Sequence, residues 1–269
     1  MVLVRTLPIP GPLTLTAEPL SPSSFAPFGA VLANPAPGIR PQNAAGNPLP
    51  SGGIVANQGT AIQYRALAPP LKNLYAQAPS GKPESARTTM FVCGARQLLS
   101  DAGGHTNTNA ISKDGLFEVR ILERHPYTTQ TFIPLGASPE SRYLVIVAPT
   151  LAPVPALAGK EDDLPAPGGH ELPGPGLPDL NGLRAFVATG AQAVTYGAGT
   201  WHAPMAALGP AGSALDFVVM QFANDIPVED CQEVALDSVG QAGKGKANGK
   251  EGERRIMVRV PRRTGLWKL

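Results

Sequence analysis

Hydrophobic and polar residues alternate along this chain in short runs, and glycine, proline and asparagine separate the runs. Side chains of an extended strand point to opposite faces in turn, so such runs bounded by turn residues predict strands. They fall at 71–76, 87–93, 116–124, 128–134, 142–148, 183–188, 192–196, 204–208 and 215–222. A 3.6-residue period is almost missing. Ser21 to Phe28 predicts one short helix with Ser21 as N-cap and Gly29 as its stop, and single turns are expected at Pro178–Leu180 and Val228–Glu233. Residues 34–53 and Thr150–Leu177 read as Pro/Gly-rich loops, the second a surface excursion between strands. Many short strands and few short helices predict an all-β barrel or jelly roll.

One run carries charge where the pattern expects only core. In an ideal strand over Leu116 to His125, the residues Phe117, Val119, Ile121, Glu123 and His125 share one side. Burying a carboxylate and an imidazole is costly unless they are paired, hydrogen-bonded or metal-bound. A satisfied Glu–His pair is the plain reading of that run taken alone. The wider pattern is Glu123-x-His125, four residues, Gln130, five residues and Gly136, followed downstream by Gly190 and by Gly199-x-x-His202. It resembles the two cupin motifs, with three departures. Glu123 stands where the first motif has histidine, Gln130 where it has glutamate, and the spacing from Gly190 is one residue longer. The resemblance implies a cupin-like double-stranded β-helix, a jelly-roll barrel. Glu123, His125, Gln130 and His202 then form a candidate divalent-metal shell of oxygen and imidazole donors, with nickel or zinc as the first expectation. No thiolate belongs to the set, which argues against a cysteine-type structural zinc site.

A longer series of blocks carries a more specific resemblance. Asn57-Gln58-Gly59-Thr60-Ala61 with Tyr64-Arg65, then ERHPYTTQTFIPLG at 123–136, PDLNGLRAFVATG at 178–190, VTYGAGTWHAPM at 194–205 and DFVVMQF at 216–222 resemble the ureidoglycolate lyase family, formerly called ureidoglycolate hydrolase. The likeness runs from about residue 14 to 235 in one order. It implies a homodimer that splits (S)-ureidoglycolate into glyoxylate and urea in allantoin, or purine, catabolism. The substrate holds a carboxylate, a hydroxyl and a ureido nitrogen on one carbon, so cleavage removes the hydroxyl proton and protonates the departing nitrogen. On this reading Glu123, His125, His202 and Tyr196 are the catalytic candidates, and Asn57, Arg65, Arg124, Gln130 and Trp201 the substrate-binding ones. Ligand and acid–base roles stay open among Glu123, His125 and His202. Arg65 or Arg124 can clamp a carboxylate with two parallel hydrogen bonds, although an ideal strand turns Arg124 away from Glu123 and His125. Two other readings remain at this level: a metal-dependent cupin dioxygenase or isomerase acting on a small organic acid, and a non-catalytic cupin that binds one.

Composition narrows the setting. Thirty glycines and thirty prolines in 269 residues leave room for many turns. Cys93 and Cys231 show no metal or redox spacing, and no signal peptide or membrane-length apolar run precedes them, so a cytoplasmic protein without a membrane or nucleic-acid partner is expected. His105 and His170, in Gly/Pro-rich loops, are expected to be solvated and inert. Charge is uneven: residues 243–269 carry nine Lys or Arg against two Glu, so the formal net charge of +2 averages about +7 there with about −5 before it. The expectation is a single domain over 1–242 and a basic C-terminal tail over 243–269, in which only IMVRV at 256–260 alternates well enough to add an edge strand.

Overall fold

A computed structural model of the chain describes residues 2–100, 114–152, 164–170, 172–237 and 254–261. His105 and the basic stretches 243–253 and 262–269 lie outside them. Among the described residues the chain runs β1 (Val2–Pro8), β2 (Leu13–Thr16), β3 (Glu18–Pro19), α1 (Pro22–Phe25), β4 (Gly29–Leu32), β5 (Ile54–Ala56), β6 (Ala61–Gln63), β7 (Ser85–Gly94), β8 (Gly115–Val119) and β9 (Ile121–Arg124). It continues through β10 (Gln130–Leu135), β11 (Arg142–Ala148), β12 (Arg184–Thr189), β13 (Ala193–Tyr196), β14 (Trp201–His202), β15 (Ala206–Leu208), β16 (Ala214–Ala223), α2 (Pro227–Asp230), β17 (Gln232–Asp237) and β18 (Ile256–Val260). The fold is all-β and cupin-like. No helix among the described residues is long and apolar enough to cross a membrane.

The largest sheet has the order β1-β17-β9-β14-β11-β12-β3, with β15 also paired to β11. A second sheet, β4-β13-β10-β16-β7, and a third, β2-β18-β8, accompany it, and β5 and β6 form a separate hairpin. Two cores result, and β11 shows why. Its sequence RYLVIVA is apolar on both faces: Tyr143, Val145 and Val147 pack with Phe132, Val194, Tyr196 and Phe217 of the second sheet. Leu144, Ile146 and Ala148 join the opposite core, with Phe117, Val119, Ile256, Val258 and Val260 of the third sheet. A strand covered on both faces reads as a continuous hydrophobic run, which is why hydropathy alone found it at 142–148.

Differences from the predicted elements have local causes. The run 116–124 is two strands in different sheets, broken at Arg120, whose carbonyl accepts the Leu236 N–H at 2.8 Å while its side chain joins Glu118 in solvent. The break resets the alternation. Ile121 is exposed and Leu122 fully buried, so Glu123 does not share a face with Phe117 and Val119. Residues 71–76 make no strand beyond a single bridge from Asn73 to Thr128; Asn73 Oδ1 accepts the Tyr75 N–H at 3.2 Å and opens a 3-10 turn over Tyr75–Gln77. Pro204 divides the run at 204–208, so pairing resumes only at Ala206. Ser21 does cap α1, its Oγ accepting the Ser24 N–H at 3.2 Å, but the helix ends at Phe25.

The boundary at residue 242 does not follow the strands. Ile256–Val260, assigned to the tail by composition, is the middle strand of the third sheet, parallel to β2 and antiparallel to β8. Ile256, Val258 and Val260 are each at most 1 % exposed. Their contribution is invisible to a charge count, because Arg254, Arg255 and Arg259 surround three aliphatic residues that belong to the core.

Candidate functional site

The site forms where the largest and second sheets face each other. β14 pairs antiparallel with β9, placing His202 directly opposite Glu123, and β17 places Glu233 opposite Glu123 on the other side. His125 follows the end of β9. Its carbonyl accepts the Gly199 N–H at 2.8 Å, so the turn before β14 is tied to the loop after β9. Gly199 holds φ +78, a left-handed conformation that a glycine enters at little cost. Gly190, which opens the second block, is equally required: a Cβ there would stand 2.1 Å from the Ser138 carbonyl oxygen. Glu123, His125 and His202 thereby offer three ligand atoms within 4.8 Å of one another, all on buried residues.

Hydrogen bonding sets the state of both imidazoles. His125 Nδ1 lies 2.6 Å from the Asp230 carbonyl oxygen, and His202 Nδ1 lies 2.9 Å from that of Thr200. A carbonyl can only accept, so each Nδ1 carries the hydrogen and each Nε2 presents a lone pair. Both Nε2 atoms are buried without a hydrogen-bond partner, with Glu123 Oε1 3.6 Å from that of His202. The Gln130 amide behaves alike: its nitrogen donates to Gln221 Oε1 at 2.6 Å, and its own Oε1 is a buried, unpartnered acceptor. Buried acceptors without donors cost about 1–3 kcal/mol each, and a cation bound among Glu123, His125 and His202 satisfies both imidazole nitrogens. A backbone carbonyl fixing the far nitrogen is also the usual outer support of a metal-binding histidine. The donor set therefore fits a divalent metal.

Electrostatics sort the same residues. Burial, with the Glu233 carboxylate beside it, pushes the Glu123 carboxyl up to about 7. Burial and the neighbouring His125 push His202 down to about 3, and burial also lowers His125, so both imidazoles are neutral at pH 7. The Tyr196 ring stacks on His202 with centroids 3.9 Å apart and 11° between planes. Burial raises its phenol well above the ordinary value, so it is a donor and not a phenolate. Tyr196 pairs with Gln130 across β13 and β10, which brings Gln130 to the same end of the second sheet.

Four expected substrate contacts lie elsewhere. Arg124, on the opposite face of β9 from Glu123, is fully buried over the Trp201 ring at 4.6 Å. Its guanidinium donates to Gln232 Oε1 at 2.8 Å and to the carbonyls of Gly174, Pro175 and Gly176 at 2.8–3.0 Å. Arg124 thus anchors the end of the Thr150–Leu177 excursion and is not a substrate clamp. Trp201 is buried in the apolar core and donates to Gly176 at 3.2 Å; strand alternation sends it away from the face that carries His202. Arg65 is exposed beyond the β5–β6 hairpin, its Nε donating to Gln63 at 3.2 Å, and Asn57 is exposed at the hairpin tip with φ 48. Neither has a hydrogen bond to Glu123, His125 or His202. His170 is exposed.

Sequence reasoning missed Asp230, Thr200, Gln221 and Glu233. The first two act through backbone carbonyls, which leave no residue signature, and Glu233 sits on a strand that hydropathy did not mark. Gln221 lies inside the DFVVMQF block and was readable only as part of a strand.

A cupin-like β protein with a buried centre of two imidazoles and a carboxylate is the class that fold and site define. A sequence model described as ureidoglycolate lyase matches residues 12–242, and the chain belongs to that family. Ureidoglycolate lyase of Saccharomyces cerevisiae is 33% identical over 225 residues, covering 82% of this chain and 93% of the yeast protein. The proteins of that name from Schizosaccharomyces pombe and Burkholderia mallei are each 32% identical, over 82% and 79% of this chain and 91% and 84% of their own lengths.

Proposed function

We propose that this chain is a cytoplasmic ureidoglycolate lyase that splits (S)-ureidoglycolate into glyoxylate and urea in purine catabolism. Family membership over most of the chain supports the substrate, and the pairing of a raised carboxyl with two neutral imidazoles in one buried centre supports the chemistry. The observation that carries the site is the pair of buried acceptors His125 Nε2 and His202 Nε2, without hydrogen-bond donors, on residues that cluster with Glu123.

Glu123 takes the proton from the substrate hydroxyl, the role of a buried carboxylate placed beside the reacting group. As the hydroxyl oxygen forms the carbonyl of glyoxylate, the carbon–nitrogen bond breaks and its electron pair goes to the ureido nitrogen. Glu123 returns the proton there, releasing urea; no water is consumed. His125, His202 and Gln130, with one Glu123 oxygen, would hold a divalent ion, nickel or zinc, whose positive charge lowers the pKa of a hydroxyl bound beside it. The Tyr196 ring, stacked on His202, holds that imidazole in place. The test is product analysis: glyoxylate and urea in equal amounts without ammonia are expected, with turnover lost in chelator and restored by added metal. Ammonia in place of urea would overturn the lyase reading, and full activity in metal-free protein would overturn the metal.

A homodimer is part of the proposal. Register places Met90, Val92, Ile133, Leu135 and Met220 on the outer face of the second sheet, all exposed, with Val92 at 68 %. An apolar sheet face ending in the ten-residue edge strand β7 is the kind of surface that pairs with a second copy. Val92→Lys should yield monomers in sedimentation, and an unchanged dimer would place the interface elsewhere.

A further inference from the structure

The carbonyl that fixes His125 belongs to Asp230, and the side chain of the same residue is held by three donors. Asp230 Oδ1 accepts from the Tyr75 hydroxyl at 2.7 Å and the Asn224 N–H at 2.9 Å, and Oδ2 from the Asp225 N–H at 2.8 Å. These bonds lock the end of α2, where Asp230 is the last residue and its carbonyl meets His125 Nδ1 at 2.6 Å. Tyr75 comes from a distant segment. That segment runs beside the loop joining His125 to Gln130: Leu74 N–H donates to the Tyr127 carbonyl at 2.7 Å, Lys72 and Thr129 exchange hydrogen bonds, and the Tyr75 and Tyr127 rings pack with centroids 5.6 Å apart. Tyr75 is 2 % exposed, and burial with the Asp230 carboxylate raises its phenol, so it stays a donor.

We propose that Tyr75 is a positioning residue for the candidate centre: through Asp230 it holds the carbonyl that keeps His125 as the Nδ1–H tautomer, with Nε2 aimed at the space shared with Glu123 and His202. Removing the phenol oxygen leaves the Asp230 carboxylate on two backbone donors, the N–H groups of Asn224 and Asp225; the end of α2 is held less tightly, its carbonyl shifts, and His125 gains access to its other tautomer. The Nδ1 hydrogen of His202 lies outside this chain of contacts, since Thr200 fixes it, although the two rings are neighbours at 5.7 Å. It is an internal control.

The inference rests on the site reading above, and its test separates the two. Full-length metal-free wild type, Tyr75→Phe and Asp230→Asn are compared by long-range proton–nitrogen spectra of the four histidines. Wild type should show His125 as a single Nδ1–H tautomer; both variants should show a mixture at His125 with His202 unchanged and melting within a few degrees. Zinc affinity of the variants should fall about 10- to 100-fold, the range for loss of an outer-shell partner. A His125 signal that stays a single Nδ1–H tautomer overturns the proposal, as do equal changes at His125 and His202, which would mean general loosening. Asp230→Asn decides where Tyr75→Phe does not fold, and loss of fold in both also overturns the proposal. A wild type that binds no zinc overturns the metal reading alone, because the tautomer is read without metal.

Discussion

The two faces of β9 and β14 carry opposite kinds of burial. On one face Leu122, Arg124 and Trp201 meet the core shared with β2, β18 and β8, and the single charge there is satisfied by Gln232 and three loop carbonyls. On the other, Glu123 and His202 lie 3.6 Å apart, Oε1 to Nε2, and the His202 Nε2 is a buried acceptor without a hydrogen-bond donor. Residues adjacent in sequence are thus equally buried and differ only in whether their polar atoms are answered. An answered polar group holds structure together, and an unanswered one is where a ligand binds.

Truncation after Ala242 is the strongest test of the structural face. It removes Ile256, Val258 and Val260, each worth about 1.5–3 kcal/mol when fully buried. The sum reaches the scale of the about 5–15 kcal/mol that holds a domain together. Circular dichroism should show loss of the cooperative melt or a fall above about 15 °C. A truncated protein melting within a few degrees of the full chain would show that the third sheet is an accessory layer.

On the chemical face, His125→Ala and His202→Ala should each abolish bound metal, measured by elemental analysis after dialysis, and lower turnover by about a hundredfold or more. Compared with metal-free wild type, melting should fall only modestly, because removal of an unpartnered acceptor partly offsets the lost Nδ1–H bond and the cavity left behind. A variant that unfolds while the metal stays bound would exchange the roles of the two faces.

Arg124→Ala reverses that pattern. Three carbonyls and the Gln232 amide lose their donor, so stability should fall by about 3 kcal/mol, while kcat/KM per folded molecule changes little. Arg124→Lys should fail to rescue, since an ammonium cannot reproduce a planar fork stacked on Trp201. A large rise in KM with unchanged melting would return Arg124 to the substrate.

The smallest effect is expected at Glu233→Gln. The Glu233 carboxylate helps push Glu123 up to about 7, so its removal lowers that value and extends ionised Glu123 to lower pH. The acidic limb of kcat/KM should move down by roughly half a pH unit with the alkaline limb unmoved. An upward shift would rule out Glu123 as the proton acceptor.

The amino-acid sequence alone determined a good deal. Alternating or apolar runs located β7, β10, β11, β12, β13 and β16, because a strand with one face on a core alternates and β11, covered on both faces, is apolar throughout. The spacing of Glu123, His125 and His202 singled out a triad that the fold brings together, since ligand types are side-chain chemistry that a sequence spells directly. Tertiary structure decided the rest. Arg120 breaks the run at 116–124 because β8 and β9 join different sheets, and Arg124 is structural because the Thr150–Leu177 excursion folds back onto it. Ile256–Val260 is core because β2 and β8 leave a gap that only a third strand fills. The carbonyls of Asp230 and Thr200 fix the histidines from residues whose identities carry no signal for that task. Each of these depends on which distant segment comes alongside, a free-energy choice made by the whole chain and legible in none of its parts.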